Sequence, residues 1–364
     1  MNLWLQISYQ VILSDNSGNF GVRKIMNFLL KNRSVLVLML LFAVAFIGCN
    51  RKPAGGNTAT TEGRNSSGGT TGGGKKTVAF AQMENTGPWR IAESNSMKSE
   101  AEKRADKYNF VYTDAQSTTA KQVSDVEDLI ARKVDAIFLA PREAEGFSST
   151  FQSAKAANIP IILIDREATG VAGTDFVTVI KSDFIKEGQR AGGWLAKQTN
   201  GKAGIVELKG TTGSSVANDR SKGFMDEIGK SPDMKVIASQ DANFTRAEGQ
   251  KVMENIIQAK GKEITAVYAH NDEMALGAIA ALKAAGMNPG KDVLIVSIDG
   301  QKSALEAIIR GEMNATVECN PRFGPIAFDT LEKHFRGEKL PAQIINEDRF
   351  FDASNAAQFV NEAY

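Results

Sequence analysis

From residue 75 to residue 310 the chain alternates short, uninterrupted apolar runs with longer stretches whose apolar residues recur at helical spacing. Residues 161–167, IILIDRE, show the type: four aliphatic side chains, then a carboxylate and a guanidinium side by side. A strand with one wet face alternates apolar and polar residues. One that is apolar throughout has both faces covered, as in a parallel sheet between two layers of helices. The pattern predicts strands at 77–82, 110–113, 135–140, 159–164, 176–180, 204–208, 235–239, 265–269 and 293–298. Helices are predicted at 89–107, 121–132, 146–157, 183–198, 214–229, 245–260, 272–285 and 302–310. Repeated βα units of this kind give the α/β class with right-handed crossovers. Roughly eleven strands are too many for one open twisted sheet, so the chain divides into two lobes, each a parallel sheet flanked by helices.

Ligands of parallel α/β sheets bind beyond the carboxyl ends of the strands, and here those ends carry the polar residues. MENTGPWR follows the first strand and contains Trp89 and Arg90; Asp165 and Arg166 follow the run at 161–164. KGTTGSSVANDR leads to Asn218, Asp219 and Arg220; HNDE holds Asn271 and Asp272; Asp299–Gly300 ends the ninth strand. Each has an ordinary reading: Asn271 or an Asp can cap a helix, Trp89 can be core, and Arg220 can sit in a surface ion pair. Together they say more, because capping needs no arginine and several charges in one cleft need partners. Carboxylates accept from paired hydroxyls, guanidinium forks donate to ring and hydroxyl oxygens, and an indole covers the C–H face of a sugar ring. The set suits a small neutral polyol. GTTGSS lacks the lysine of a Walker-type phosphate loop, and no G-x-G-x-x-G follows the first strand, which argues against nucleotides.

Lys plus Arg number 43 against 42 Asp plus Glu, a net charge of +1 that provides no basic field for nucleic acid. Two His and two Cys nearly exclude a His/Cys metal cage, and no metal or other cofactor is expected.

The N-terminal region reads as an address. Lys31 and Arg33 precede an apolar run at 35–47; at about 20 Å of helix it is short for a hydrocarbon core of roughly 30 Å and right for a signal peptide. The run ends in Gly48–Cys49, which resembles a bacterial lipobox, and that resemblance implies that Cys49 is acylated and becomes the mature N-terminus. Residues 50–74 are mostly Gly, Ser, Thr and Asn, a flexible tether with a reach of about 25–30 Å. Residues 1–25 have no place in such a signal, which marks Met26 as the start.

AHNDEMALGAIAALKAAG (269–286), VSIDG (296–300), LIDRE (163–167) and NDRSKGF (218–224) resemble the periplasmic sugar-binding proteins of the ribose-binding and lactose-repressor-core type. GPWRIAESNSMKSEAEKRA (87–105), VYAHNDEMALGAI (267–279) and GSSVANDRSKGF (213–224) are similar more narrowly to the galactofuranose-binding proteins of sugar ABC importers. The resemblance implies a type 1 periplasmic binding fold: two Rossmann-like lobes joined by three crossovers, near 180–182, 318–320 and 345–347. The N-terminal lobe is then 75–181 plus 319–346 and the C-terminal lobe 182–318 plus 347–364. It also implies sugar contacts from Arg90, Asp165, Arg166, Arg220, Asn271 and Asp299, with Trp89 adjacent and Asn218 as a further candidate. Two positions depart from the family. Thr86 stands where the galactofuranose-binding type has a ligand-contacting Glu, and Cys319 where the ribose-binding type has a Gln at the hinge.

The implied function is capture of a monosaccharide by clamshell closure and delivery to an ABC permease and its ATPase, by a monomer lipid-anchored at Cys49 outside the cytoplasm. Two rivals are a binding protein that signals to a chemoreceptor or sensor kinase, and a sugar-acting enzyme using Asp165 and Asp299 as paired carboxylates. A transcription regulator would need a helix-turn-helix and a basic face in place of the lipobox and tether. N-terminal sequencing of unprocessed precursor should begin at Met26; a Met1 start would remove the reading of residues 1–25.

Overall fold

The structure, a computed structural model, describes residues 74–364; the signal segment, Cys49 and residues 50–73 of the tether lie outside the described residues. No described helix is long and apolar enough to cross a membrane.

Two six-stranded sheets organise the molecule. The first contains β1 (Lys76–Gln82), β2 (Tyr108–Asp114), β3 (Ala136–Leu139), β4 (Ile161–Ile164), β5 (Val179–Ser182) and β11 (Gln343–Asn346), in the order β11-β5-β4-β3-β1-β2. All its neighbours pair in parallel. The second contains β6 (Lys202–Lys209), β7 (Asp233–Asp241), β8 (Ala266–Ala269), β9 (Leu294–Asp299), β10 (Ala315–Glu318) and β12 (Phe350–Asp352), in the order β12-β10-β9-β8-β6-β7. Only β12 runs antiparallel, along β10. The two orders match strand for strand: β1 corresponds to β6, β4 to β9, and β5 to β10.

Helices cover both faces, as the unbroken apolar strands require: β3 and β4 are buried at every position. α1 (Gly87–Lys103), α2 (Thr119–Ala131), α3 (Ser148–Ala156) and α9 (Gly324–Phe335) serve the first sheet. α4 (Phe184–Gln198), α5 (Ser215–Ile228), α6 (Arg246–Lys260), α7 (Asp272–Ala284), α8 (Lys302–Ile309) and α10 (Ala356–Phe359) serve the second. Each lobe has two apolar layers, one on either face of its sheet. The chain passes between lobes three times: from β5 into α4, from β10 into α9, and from β11 into β12.

The sequence pattern placed the first seventeen elements and stopped at residue 310. Beyond it the apolar runs give out: β10 reads ATVE, and β11 and β12 are only partly buried, so none carries the unbroken apolar signal of β3 or β4. Two boundaries also moved. α1 begins at Gly87 with Pro88 in its first turn, and the fifth strand is Val179–Ser182, later than the extended stretch expected at 176–180.

Glycine decides how the helices of the second lobe pack. A Cβ on Gly188 of α4 would stand 2.2 Å from the Arg220 carbonyl oxygen, and one on Gly223 of α5 would stand 1.9 Å from that of Ile185. These backbones approach closely because both contact positions lack a side chain. Gly249 and Gly277 do the same for α6 and α7. Gly223→Ala should therefore destabilise the protein by about 1–3 kcal/mol through forced separation of α4 and α5. Gly193→Ala, whose Cβ would meet only the Glu227 side chain at 3.6 Å, should be neutral or mildly stabilising in the same melting experiment.

Candidate functional site

A cavity with about 510 Å³ of empty space, its open mouth included, lies between the lobes at the carboxyl ends of the strands. The first lobe lines it with Glu84, Thr86, Trp89, Arg90, Asp165 and Arg166. The second lobe and the crossover bring Val216, Arg220, Phe244, Asn271, Glu273, Asp299 and Cys319. Asn218 lies elsewhere, on an outer depression with Lys209 and Asp241. It stands two residues before Arg220 on α5, about 200° around a helix of 3.6 residues per turn, so the two cannot share a face.

At its base the site has an approximate two-fold character. Arg90 stands in the first turn of the helix after β1, and Arg220 in the first turns of the helix after the corresponding β6. Asp165 follows β4, and Asp299 ends the corresponding β9. Each lobe thus sets one buried arginine against one strand-tip aspartate from equivalent places. Both aspartates have positive φ, +64° at Asp165 and +132° at Asp299, a conformation that costs a non-glycine residue of order 1–3 kcal/mol and collects at functional sites. At Asp165 the tip doubles back in one step, the Arg166 amide donating to the Ile164 carbonyl at 2.7 Å.

The two pairs differ in tightness. Arg90 donates from Nη2 to Asp165 at 2.7 Å and from Nη1 to Glu93 at 2.8 Å. Glu93 also accepts from Gln82 at 2.8 Å. Burial, countered by Arg90, raises the Glu93 carboxyl above its usual value. Arg220 is held through Nε by Glu187 at 2.7 Å and through Nη1 by the His270 carbonyl at 2.6 Å, whereas Asp299 lies 3.8 Å from Nη2. Asp299 is 4% exposed, and burial pushes its carboxyl well above the usual range against the pull of Arg220. With its nearest cation beyond hydrogen-bond reach, the carboxyl group has oxygens open to hydrogen bonds from ligand hydroxyls.

Arg166 donates from Nη1 to the Arg142 carbonyl at 2.7 Å, while its buried Nε has no hydrogen-bond partner. Burial and neighbouring Arg90 lower its pKa to about 9, so it stays a cation at neutral pH. Its guanidinium stands 5.3 Å from the centre of the Phe244 ring, across the cleft. Asn271 is a helix cap, its Oδ1 accepting from the Met274 amide and its Nδ2 donating to the Phe244 carbonyl, both at 3.0 Å. It borders the cavity with both amide ends engaged and holds the loop that presents Phe244. Trp89 is half-buried, donates from Nε1 to the Cys319 carbonyl at 2.8 Å and carries Arg90 at 4.5 Å over its ring.

Reading the sequence missed Glu84, Glu93, Glu187, Phe244 and Glu273. Glu84 bears on the departure at Thr86: two residues earlier in the same loop, it also lines the cavity and accepts from Ser117. Phe244 has φ +60°, so the ordinary local cue of a Gly or Asn in a left-handed turn was absent at the residue itself.

Residues flanking the crossovers form a network behind the site. The Cys319 thiol donates to Ser182 Oγ at 3.6 Å, the Asn320 amide to Asp348 at 2.9 Å, and Asn346 Nδ2 to the Asn320 carbonyl at 2.9 Å. Cys319 is buried as a free thiol. Among the described residues no group of His, Cys, Asp and Glu is arranged to hold a metal ion.

The model of the periplasmic binding protein domain matches residues 78–339. The chain belongs to the periplasmic binding protein family. It is 44% identical over 271 residues to the galactofuranose-binding protein YtfQ of Escherichia coli K12, a match covering 74% of this chain and 85% of that one. A crystal structure of a galactofuranose-binding protein superposes with a TM-score of 0.76 at 42% identity, covering 79% of this chain and 98% of the other. The binding component of the arabinose ABC transporter of Shewanella sp. ANA-3, bound to α- and β-L-arabinofuranose, gives a TM-score of 0.76 at 39% identity over 79% and 95%. The type 1 periplasmic binding architecture expected from the sequence is therefore borne out, as is the family.

Burial, and next to it Glu187, pushes Asp348 up to about 8. A carboxyl raised above its unfolded value of about 4 contributes its stability below that value and loses it as pH climbs towards 8. Asp348→Asn should gain melting temperature over the wild type at pH 9 and show no such gain at pH 4. An equal difference at both pH values would mean that Asp348 is not raised.

Proposed function

We propose that this chain is an extracytoplasmic solute-binding protein that encloses one monosaccharide in its furanose form and presents the closed complex to an ABC import permease. The observation that carries this reading is the pair of buried Arg–Asp sets, one per lobe, converging on a cavity bordered by Trp89 and Phe244. Neither lobe surrounds a ring alone. A sugar between them accepts from Arg166 Nε and Arg90 and donates hydroxyl protons to Asp165 and Asp299. Trp89 and Phe244, which border the cavity, cover its C–H faces. Family membership supports binding as the activity, and the names of the galactofuranose and arabinofuranose binders support a five-membered ring. Glu84 supplies a carboxylate to the loop in which Thr86 replaces the family's Glu. A lipid anchor at Cys49 and a monomeric state belong to the same reading. Asp165 and Asp299 serve as acceptors here, with no bond to break.

Each lobe alone grips weakly, and closure is driven by the contacts the second lobe adds. A thermal-shift screen of pentoses and hexoses that populate furanose forms should identify a ligand; at 100 times its dissociation constant it adds about 2.7 kcal/mol. Asp299→Ala should weaken that ligand ten- to a hundred-fold, the loss of a charge-assisted contact of about 1.5–3 kcal/mol, with the fold intact. Unchanged affinity in both Asp299→Ala and Arg166→Ala would show that the sugar binds elsewhere.

A further inference from the structure

Asp299 combines three features that do not sustain one another. Its backbone is in a region disfavoured for aspartate, its neighbour Gly300 also has positive φ at +74°, and its side chain has no close donor. In the first lobe Arg90 grips Asp165 directly at 2.7 Å, but the equivalent Arg220–Asp299 separation of 3.8 Å leaves the second tip without that restraint. The restraint comes from behind the tip. Asp272, fully buried at the start of α7, touches nothing in the cavity. Its Oδ2 accepts from the Gln301 amide at 2.8 Å, and its Oδ1 accepts from Thr316 Oγ1 at 2.8 Å and from the Ser297 hydroxyl. Thr316 in turn accepts from the Gly300 amide at 3.2 Å. One carboxyl group therefore fastens the residues on both sides of Asp299, two before it and two after, and ties them to β10.

We infer that Asp272 is a positioning residue for the ligand: it fixes the 297–301 turn so that the Asp299 carboxyl is aimed into the cleft, and it acts on affinity only through Asp299. This rests on the sugar-binding reading above. Asparagine at 272 keeps an acceptor for the turn and, by donating its amide protons to the two hydroxyls, keeps the fastening; alanine removes it.

Isothermal titration uses whichever of L-arabinose, D-galactose and D-ribose gives the largest thermal shift with the wild type. Asp272→Ala should weaken binding at least ten-fold and Asp272→Asn less than three-fold. In an Asp299→Ala background, Asp272→Ala should add less than a two-fold further loss, because the group it positions is gone. If Asp272→Ala does not fold, Thr316→Val takes its place in the same cycle, with an expected loss of at least five-fold on its own and less than two-fold with Asp299→Ala. A loss that multiplies undiminished through the Asp299→Ala background would mean general damage to the lobe and overturn the inference, as would Asp272→Ala at wild-type affinity. No binding by the wild type of any of the three sugars would instead overturn the binding reading, and this inference with it.

Discussion

The molecule depends on how charge is kept in a nearly dry cleft. Arg90, Asp165, Arg166, Arg220 and Asp299 are each under one-tenth exposed, and ions taken from water at that depth cost several kcal/mol apiece unless they are paired and hydrogen-bonded. The fold meets this with Glu93 and Glu187, two further carboxylates that lie behind the arginines and leave the front of each guanidinium free to face the cavity. Both lobes use this arrangement, with one difference. The first is closed on itself through Arg90 and Asp165, whereas the second leaves Asp299 loosely partnered. The first lobe is thus a finished surface, and the second has an acceptor still to be satisfied.

Beyond the Arg166–Phe244 contact, the lobes meet through groups other than those charges. The Ala144 amide donates to the Gly213 carbonyl and the Glu167 amide to Ser215 Oγ, each at 3.1 Å. Lys181 lies between Glu167 at 2.6 Å and Asp219 at 3.9 Å. Backbone groups, the Ser215 hydroxyl and one lysine therefore fasten the rim, while the polar interior stays available for recognition. The separation lets rim and interior vary independently: altering Ser215 changes how firmly the lobes meet, and altering Phe244 changes what fits between them.

The class of fold was legible because β3 and β4 are apolar at every position, and such runs have few uses outside a doubly covered sheet. The cavity was legible for a related reason: parallel strands carry their working residues at one end, so Arg90, Asp165, Arg220, Asn271 and Asp299 could be collected from five separate strand ends. What escaped were residues whose role depends on three-dimensional neighbours alone. Glu93 and Glu187 sit within helices and look like ordinary solvated positions until Arg90 and Arg220 are seen beside them. α1 conceals its buried face further, because that face carries Arg90, Glu93, Ser94 and Glu100 in place of an apolar stripe. Asn218 misled in the opposite direction, sharing a short motif with Arg220 while pointing away from it.

The triple passage of the chain between sheets bears on the order in which the protein can be assembled. β11 pairs with β5, so the first sheet lacks its outermost strand until residues 343–346 have been made. β12 closes the second sheet only at 350–352. A chain emerging from the ribosome has β5 as an open edge until residues 343–346 are made and β10 until 350–352, so the first sheet closes only a few residues before the second. The burden of completion falls on residues 343–352, and a stop before 343 would leave two unfinished sheets instead of one finished half.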